Sequence, residues 1–377
     1  MQPSGTTGKK FSWLQTASDA SARTGRLETP HGSAETPLFM PVGTKATVKG
    51  LAPDRLREAG IQVVLANAYH LMLRPGEKIV EAMGGLQSFM AWNGPVLTDS
   101  GGYQIFSLAR LTRVDDEAAV FRSHIDGERI VLTPERAIEV QEALGADIIM
   151  QLDHCVAYPC EKSKVAEALK RTTLWARRSA SAKCRDEQAL FGIVQGGVHT
   201  DLRRQSAQEL AEMDFPGYAV GGLCVGEEPG QRVEALEAAL ECMPTDRPRY
   251  LMGIGEPRDI FAAVARGVDM FDCVLPTRNG RNASAFTPEG PIRLRGRRFK
   301  TDSGPLGADC DCFVCGRFTR AYIRHLFNAG EMLGPMLVSL HNVRFFARLF
   351  SEVREAIGGG NFAAFSKAFL DRYGGGV

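Results

Sequence analysis

Three cysteines and a histidine near the C-terminal end of the sequence have the residue types and spacing of a metal site. Cys310, Cys312 and Cys315 fall within six residues, and His341 follows after 25 intervening residues. Three thiolates and one imidazole complete a tetrahedral zinc sphere, and a full set leaves no coordination position open. The spacing therefore predicts one structural Zn²⁺ per chain. His325 is an alternative fourth ligand, and three reduced, buried cysteines are the alternative to a metal site.

Two aspartates stand in motifs that suit glycosidic chemistry. Asp99 belongs to TDSGGYQ, in which the glycines let a ligand approach the backbone and Tyr103 offers a ring for stacking. Asp272 belongs to FDCVLPTRNGRN, so that a possible nucleophile is followed by arginines that suit phosphate. Two carboxylates at one rim permit a covalent ribosyl intermediate, in which one attacks the anomeric carbon and the other manages protons. Ordinary caps or surface charges are the alternative.

The elements that must position these side chains alternate along the chain. Short apolar runs rich in β-branched residues predict strands, and stretches with helical period lie between them. Eight such strands over about 240 residues predict an α/β fold, a (β/α)8 barrel, with an open doubly wound sheet as the main alternative. The predicted strands are 38–42, 62–66, 96–98, 147–152, 190–194, 218–220, 250–252 and 268–274.

A barrel places its chemistry just after the C-terminal ends of its strands. Polar residues or glycines stand at that place in five of the predicted strands, at Asp99, Asp153, Gln195, residues 221–223 and Asp272. Each one alone is explained by a turn or a cap. Five on one rim predict a functional site.

The chain divides into four predicted segments. Residues 1–10 form a flexible N-terminus, 11–276 the catalytic barrel, 277–345 an arginine-rich and zinc-binding subdomain, and 346–377 a C-terminal helix and tail. Ten Lys or Arg and only four acids lie within 278–324, an excess that favours phosphate contacts, with a solvated basic face as the alternative.

Composition excludes several classes of protein. Hydrophobic residues make up 44% and charged residues 24%, which is typical of a globular protein and not of a disordered one. Nine cysteines without a signal peptide indicate a reducing compartment. Because no run approaches the roughly 18 apolar residues of a membrane span, we expect a cytoplasmic protein without a membrane partner.

Taken in order, the motifs resemble those of tRNA-guanine transglycosylases. The motifs are TDSGGYQ, QLDHC, VQGG, GGLCVGE, LMGIGEP, FDCVLPTRNGRN and the Cys3His set, and the similarity runs from about residue 11 to 373. The resemblance implies a barrel with a zinc-bearing insertion, favours His341 over His325 as the fourth ligand, and implies exchange of guanine at wobble position 34 of tRNA. Family members are commonly homodimers.

The resemblance also implies roles for single residues. Asp272 would attack C1′ of the ribose, and Asp99 would be the general acid/base. Asp153, Gln195 and the Gly222 amide would hydrogen-bond the purine, with the Leu223 carbonyl nearby and Tyr103 stacking on the base. The residues of segments 253–259 and 277–281 that would contact RNA are Gly253, Gly255, Arg258, Thr277, Arg278 and Arg281.

Three positions bear on the incoming base. Cys155 and Val225 match the bacterial members, and Glu227 matches a glutamate that holds a peptide carbonyl toward an aminomethyl group. The implied base is 7-aminomethyl-7-deazaguanine, the queuosine precursor, and the implied tRNAs carry G-U-N anticodons, those for Asp, Asn, His and Tyr. Two departures from the family are Ala68, which leaves Asn67 as the expected partner of Asp99, and Cys224.

Three other functions compete with this one. A non-catalytic RNA-binding partner subunit would be expected to lose one of the two acids. A barrel glycoside hydrolase needs neither the arginine loop nor the zinc cluster. A zinc-dependent RNA-binding module does not need ordered acids at strand ends.

Overall fold

The computed structural model describes residues 10–108 and 110–374, so most of the predicted flexible N-terminus lies outside the described residues. The strands are β1 (Ser12–Asp19), β2 (Ala22–Thr29), β3 (Gly32–Thr36), β4 (Leu38–Gly43), β5 (Val64–Ala66), β6 (Val96–Thr98), β7 (Arg110–Val114), β8 (Ala119–Arg122), β9 (Arg129–Leu132), β10 (Ile148–Met150), β11 (Ala189–Val194), β12 (Gly217–Val220), β13 (Arg249–Leu251), β14 (Met270–Cys273), β15 (Ser284–Ala285) and β16 (Ile292–Arg293).

The helices are α1 (Pro53–Glu58), α2 (Ala68–Leu73), α3 (Glu77–Ala82), α4 (Gly85–Phe89), α5 (Gly102–Leu108), α6 (Pro134–Leu144), α7 (Lys162–Ala182), α8 (Thr200–Ala211), α9 (Pro229–Leu240), α10 (Pro257–Val264), α11 (Leu275–Arg281), α12 (Arg320–Ala329), α13 (Leu333–Gly358) and α14 (Phe362–Gly374). A short 3₁₀ turn at Arg297–Phe299 lies between β16 and α12.

Eight parallel strands close into a barrel in the order β4, β5, β6, β10, β11, β12, β13 and β14. The ring closes where β14 pairs with β4, from Met270 opposite Leu38 to Cys273 opposite Pro41. This closure confirms the predicted (β/α)8 barrel and excludes the open sheet. Each predicted apolar run overlaps one barrel strand, because strands buried on both faces read as continuous apolar runs.

The N-terminal antiparallel sheet β1–β2–β3 packs against the apolar interior of the barrel. Leu27 and Ala34 of this sheet are buried in one cluster with Met40 and Met270 of the barrel strands. The ring of Phe11 meets that of Phe191 edge to face, with centroids 5.6 Å apart. A second antiparallel sheet, β7–β8–β9, follows barrel strand β6, and the hairpin β15–β16 follows β14.

Helix starts show which local signals decide the boundaries. Thr133 is of a favoured N-cap type and is followed by proline, a pattern that predicts a cap, and it does cap α6: its Oγ1 accepts from the Arg136 amide at 3.1 Å. Asp54 is of a favoured N-cap type as well, and the same reasoning predicts a cap there. That prediction is wrong: Ala52 is the N-cap residue of α1, Pro53 occupies the first turn, and Asp54 is an acid within that turn.

The longest helix, α13, lies against the closure of the barrel. It has 26 residues and runs without interruption across the predicted segment boundary between 345 and 346. Phe346 stacks on Phe39 of β4 with centroids 4.7 Å apart, and Phe350 contacts Phe271 of β14 at 5.4 Å. Helix α13, which carries His341, therefore packs the part of the chain after β14 against the barrel. None of the helices within 10–108 and 110–374 is long and apolar enough to cross a membrane.

Candidate active site and metal cluster

A cavity of about 560 Å³ opens at the C-terminal ends of the barrel strands. Its volume is in the range of small-molecule sites. It brings together both predicted catalytic acids and all but one of the predicted base-binding residues. Those that line it are Asp99, Tyr103, Asp153, Cys155, Gln195, Gly222, Leu223, Val225 and Asp272.

Asp272 is held from one side by two donors. The Tyr250 hydroxyl donates to Asp272 Oδ1 at 2.6 Å, and the Gly253 amide donates to the same oxygen at 2.8 Å. Burial raises the pKa of Asp272, and these two hydrogen bonds limit the rise. The carboxylate is thereby oriented while its residue stays partly exposed at the cavity.

Asp99 is buried and accepts three hydrogen bonds. Asn67 Nδ2 and Gln104 Nε2 donate to its Oδ2 at 2.5 and 2.8 Å, and the Ala68 amide donates to its Oδ1 at 2.8 Å. The expected partnership with Asn67 is confirmed. Burial raises the pKa of Asp99 to about 6, with a smaller contribution from the charge of Asp272. A carboxyl with such a pKa can give or take a proton near neutrality.

Asp153 and Gln195 form a polar pair on the cavity wall. Gln195 Nε2 donates to Asp153 Oδ2 at 2.7 Å, and the Ser100 hydroxyl donates to Asp153 Oδ1 at 2.8 Å. Burial raises the pKa of Asp153. A Cβ at Gly102 would lie 2.6 Å from Asp153 Oδ1, so the glycine of the TDSGGYQ motif is needed for this close approach.

Glu227 lies behind the cavity wall and holds one loop in place. Its Oε1 accepts from the Cys224 amide at 2.6 Å and its Oε2 from the Val225 amide at 3.0 Å. Arg232 donates to Oε1 at 2.7 Å. Burial by itself would raise the pKa of Glu227, but Arg232 and the two amides outweigh it and hold the pKa below its ordinary value. Cys155 is buried nearby, and burial raises the pKa of its thiol to about 12.

The six predicted RNA contacts fall into two groups. Gly253 and the exposed Arg278 line the cavity. The remaining four lie outside its lining: Gly255, Arg258, Thr277 and Arg281. A Cβ at Gly255 would lie 2.5 Å from Cys273 Cβ, so a glycine is needed there for packing against β14.

The three thiols and His341 converge as the spacing and the resemblance predicted. Their ligand atoms all lie within 4.8 Å of one another. Nδ1 of His341 is 3.6 Å from the sulfurs of Cys310 and Cys312 and 3.3 Å from that of Cys315. His341 Nε2 lies 2.8 Å from the Phe286 carbonyl, which fixes the tautomer that frees Nδ1 for a metal. His325 lies on α12, outside this cluster.

Several residues of the site are not among those predicted from the sequence. Tyr250, which donates to Asp272, begins a predicted strand, and a hydroxyl in an apolar run is a usable signal. Gln104, which donates to Asp99, is the last residue of the TDSGGYQ motif. His70 also lines the cavity, and burial lowers the pKa of its imidazole to about 4, so that the ring is neutral.

A closed barrel with paired carboxylates at its C-terminal rim defines the class of protein as a barrel enzyme. The family model of queuine tRNA-ribosyltransferase matches residues 18–375. A queuine tRNA-ribosyltransferase of Symbiobacterium thermophilum is 54% identical over 94% of this chain and 89% of its own length. Those of Thermus thermophilus and Zymomonas mobilis are 54% and 50% identical, over 93% and 97% of this chain and 91% and 96% of their own lengths. The chain therefore belongs to the queuine tRNA-ribosyltransferase family and is an enzyme of the tRNA-guanine transglycosylase class.

Proposed function

We propose that this enzyme exchanges guanine at position 34 of G-U-N anticodons for 7-aminomethyl-7-deazaguanine through a covalent ribosyl intermediate on Asp272. The observation that carries the proposal is the pair of acids facing one cavity. Asp272 has one oxygen tied to Tyr250 and Gly253, whereas both oxygens of Asp99 accept hydrogen bonds. The difference suits one acid to attack and the other to transfer protons.

In the first half of the reaction a carboxylate oxygen of Asp272 attacks C1′ of ribose 34. The bond from C1′ to N9 breaks, and guanine leaves with the proton that Asp99 gives to N9. In the second half the Asp99 carboxylate takes the N9 proton of the incoming base, N9 attacks C1′, and the ester to Asp272 breaks. Each proton that Asp99 gives is thus recovered, and no other reactant is needed.

The purine is bound by donors and acceptors of matching kind. The Asp153 carboxylate accepts from N1–H and the exocyclic amine, because both are donors. Gln195 and the Gly222 amide donate to the keto oxygen, and Tyr103, which is 57% exposed, stacks on the base. The target nucleotide leaves its stack to enter the cavity, at a cost of a few kcal/mol.

The loop held by Glu227 supports the choice of an aminomethyl base. In a trans peptide the carbonyl points opposite to the N–H. Because the Cys224 amide donates to Glu227, the Leu223 carbonyl points away from Glu227, which lies outside the cavity lining. That carbonyl can accept from an aminomethyl ammonium. Val225 and Cys155 also line this part of the wall and limit the space for a larger substituent.

Cys310, Cys312, Cys315 and His341 suit a structural Zn²⁺, since three sulfurs and one nitrogen fill a tetrahedral site. Bound zinc would tie α13 to the cysteine loop and so support the arginine-rich segment beside the barrel. Among the arginines, Arg278 stands at the cavity, where it can contact a phosphate of the anticodon loop. Of the other predicted RNA contacts, Gly253 and Arg258 are exposed and Arg281 is partly exposed, so these three contact the flanking RNA, whereas Gly255 and Thr277 are buried and support the segments from inside.

A homodimer is proposed from a partly exposed patch of aromatic and apolar residues on α12 and just outside its two ends. Phe318 stacks on Tyr322 with centroids 5.7 Å apart, and Tyr322 contacts His325 at 6.5 Å. Tyr322 is 41% exposed, and Met332, 81% exposed, lies just beyond the helix. A second copy of the chain would cover these apolar groups. Sedimentation velocity at micromolar concentration that shows only a 41.1 kDa monomer would contradict this proposal.

The exchange reaction itself is tested with labelled guanine and a tRNA bearing a G-U-N anticodon. We expect the label to enter the tRNA, and added 7-aminomethyl-7-deazaguanine to displace it. A tRNA with adenine at position 34 is the control and should exchange nothing. Denaturing electrophoresis after incubation with tRNA should show a protein–RNA adduct. If the label enters the tRNA but no adduct is found at short times, the proposed covalent intermediate is wrong, while the proposed base exchange still holds.

A further inference from the structure

Helix α8 carries an arginine that is fully buried without an acidic partner. Arg203 has no exposed surface, and no carboxylate within 10–108 and 110–374 forms an ion pair with it. Burial lowers the pKa of its guanidinium to about 10, so it stays charged at neutral pH. A buried charge is costly unless its hydrogen bonds are satisfied. The partners of Arg203 therefore show what the charge is for.

The four hydrogen bonds of the Arg203 side chain all go to backbone carbonyls at or just beyond the ends of two neighbouring barrel strands. Nε donates to the Gly197 carbonyl at 2.8 Å, and Nη1 donates to those of Val194 and Gly221 at 3.0 and 2.8 Å. Nη2 donates to the Gly222 carbonyl at 3.3 Å. The guanidinium thus ties the end of β11 to the loop after β12, behind the wall of the cavity.

One of these bonds fixes which group the wall presents to a ligand. The Gly221–Gly222 peptide is trans, so its carbonyl and its N–H point in opposite directions. With the Gly221 carbonyl held by Arg203, the Gly222 N–H points away from Arg203, and Gly222 lines the cavity. Gly222 has φ +65°, a backbone conformation that glycine adopts easily and that a released loop would readily leave.

The same helix also braces the neighbouring site residue. The hydroxyl of Ser206, one turn after Arg203, accepts a hydrogen bond from the backbone N–H of Gln195 at 3.1 Å. A Cβ at Gly222 would lie 2.3 Å from Gln195 Oε1, so the Gln195 side chain and the Gly222 backbone are packed together. A shift of the Gly221–Gly222 peptide would therefore disturb the donor facing the cavity before it disturbed the two acids.

We infer that Arg203 is a positioning residue that keeps the Gly222 N–H aimed into the cavity and so makes the enzyme select bases with a strong acceptor at position 6. The inference rests on the proposed function, in which that amide binds the keto oxygen. Because the contact is made to the bound base, its loss should raise the KM for the base more than it lowers kcat.

The test compares guanine with 6-thioguanine, which keeps every donor of guanine but has a weakly accepting sulfur at position 6. Each base competes with labelled guanine for exchange into tRNA, and the ratio of the two inhibition constants is measured. The ratio does not depend on how much of a preparation is folded. We expect the wild-type enzyme to prefer guanine, and Arg203→Gln to raise the constant for guanine about ten-fold with little change for 6-thioguanine.

Two further variants complete the test. Arg203→Lys keeps a cation with three donors and should restore part of the preference for guanine. If Arg203→Gln does not fold, the test is made with Arg203→Lys instead. Arg204→Gln is the matched control, because Arg204, the next residue along the chain, is exposed and pairs with Glu241 at 2.7 Å. It should leave both constants unchanged.

The outcomes separate the two proposals. A wild-type enzyme that does not distinguish the two bases would overturn the proposed contact at Gly222, and with it the role of Arg203. A wild-type preference that both Arg203 variants retain in full would overturn the role of Arg203 alone.

Discussion

The barrel rim and the cysteine cluster both gather reactive side chains, but they do so in opposite ways. At the rim, Asp99 and Asp272 come from distant parts of the chain and face an open cavity of about 560 Å³. In the cluster, the four ligand atoms face one another within 4.8 Å. An arrangement that leaves space suits a substrate, whereas one that is filled by its own ligands suits a structural ion.

The electrostatic environments of the two regions also differ, and the difference agrees with an open site for substrate and a closed site for an ion. Burial raises the pKa of Asp99 and of Asp272, which leaves both carboxyls in a state that is costly for folding but useful for chemistry. The cluster sulfurs are arranged around His341 Nδ1, and bound metal would relieve their mutual repulsion. Substitutions should therefore affect activity in one region and stability in the other.

The largest expected effect is on activity alone. Asp272→Asn keeps the shape of the side chain but removes the proposed nucleophile, so exchange should fall by more than about a thousand-fold. Zinc content and thermal unfolding should match the wild type. Exposed Asp214→Asn is the matched control and should exchange normally. Exchange by Asp272→Asn within ten-fold of the wild type would contradict the assignment of the nucleophile.

The second effect is on stability. Cys312→Ser should reduce bound zinc from one ion per chain to none and lower the free energy of unfolding by on the order of 5 kcal/mol. Metal analysis and chemical denaturation measure both. Cys184→Ser, at an exposed cysteine outside the cluster, should change neither. Full zinc occupancy in Cys312→Ser would show that the cluster is not the closed site described above.

The third effect concerns pH at the rim. In the proposed mechanism Asp99 must be ionised to take a proton from the incoming base, and burial raises the pKa of this carboxyl to about 6. The second half-reaction should therefore slow about ten-fold per pH unit below about 6 and level off above it. Single-turnover release of the ribosyl adduct by added base measures this. In Asp99→Asn the second half-reaction should be slow at every pH, and its rate should show no change of slope near pH 6. If the variant keeps that change of slope, the titrating group is not Asp99.

The smallest effect tests the loop behind the rim. Glu227→Gln removes the charge that accepts the amides of Cys224 and Val225 and pairs with Arg232. The Leu223 carbonyl should then be free to turn, and the KM for 7-aminomethyl-7-deazaguanine should rise about ten-fold relative to that for guanine. Glu228→Gln, at the exposed neighbour, is the control. An equal rise for both bases would indicate a general loss of structure.

Much of the fold could be predicted because barrel strands are buried on both faces. All eight apolar runs overlap barrel strands, and Thr133 caps α6 as its type and the following proline indicate. Asp54 shows the limit of such signals, since Ala52 occupies the N-cap position of α1. Closure of the barrel through β14 and β4 joins residues that are more than 200 positions apart, and no local pattern distinguishes this from an open sheet.

The sequence shows which reactive groups are available: three thiols in one short segment, and acids after apolar runs beside glycines that permit close approach. Which of these groups meet depends on the tertiary structure. The tertiary structure brings His341, and not His325, to the three sulfurs, because His341 lies on α13 and His325 lies on α12. It placed Tyr250 against Asp272, and Arg203 behind Gly222, through contacts between separate elements. Such contacts depend on packing in three dimensions, for which spacing along the chain carries no signal.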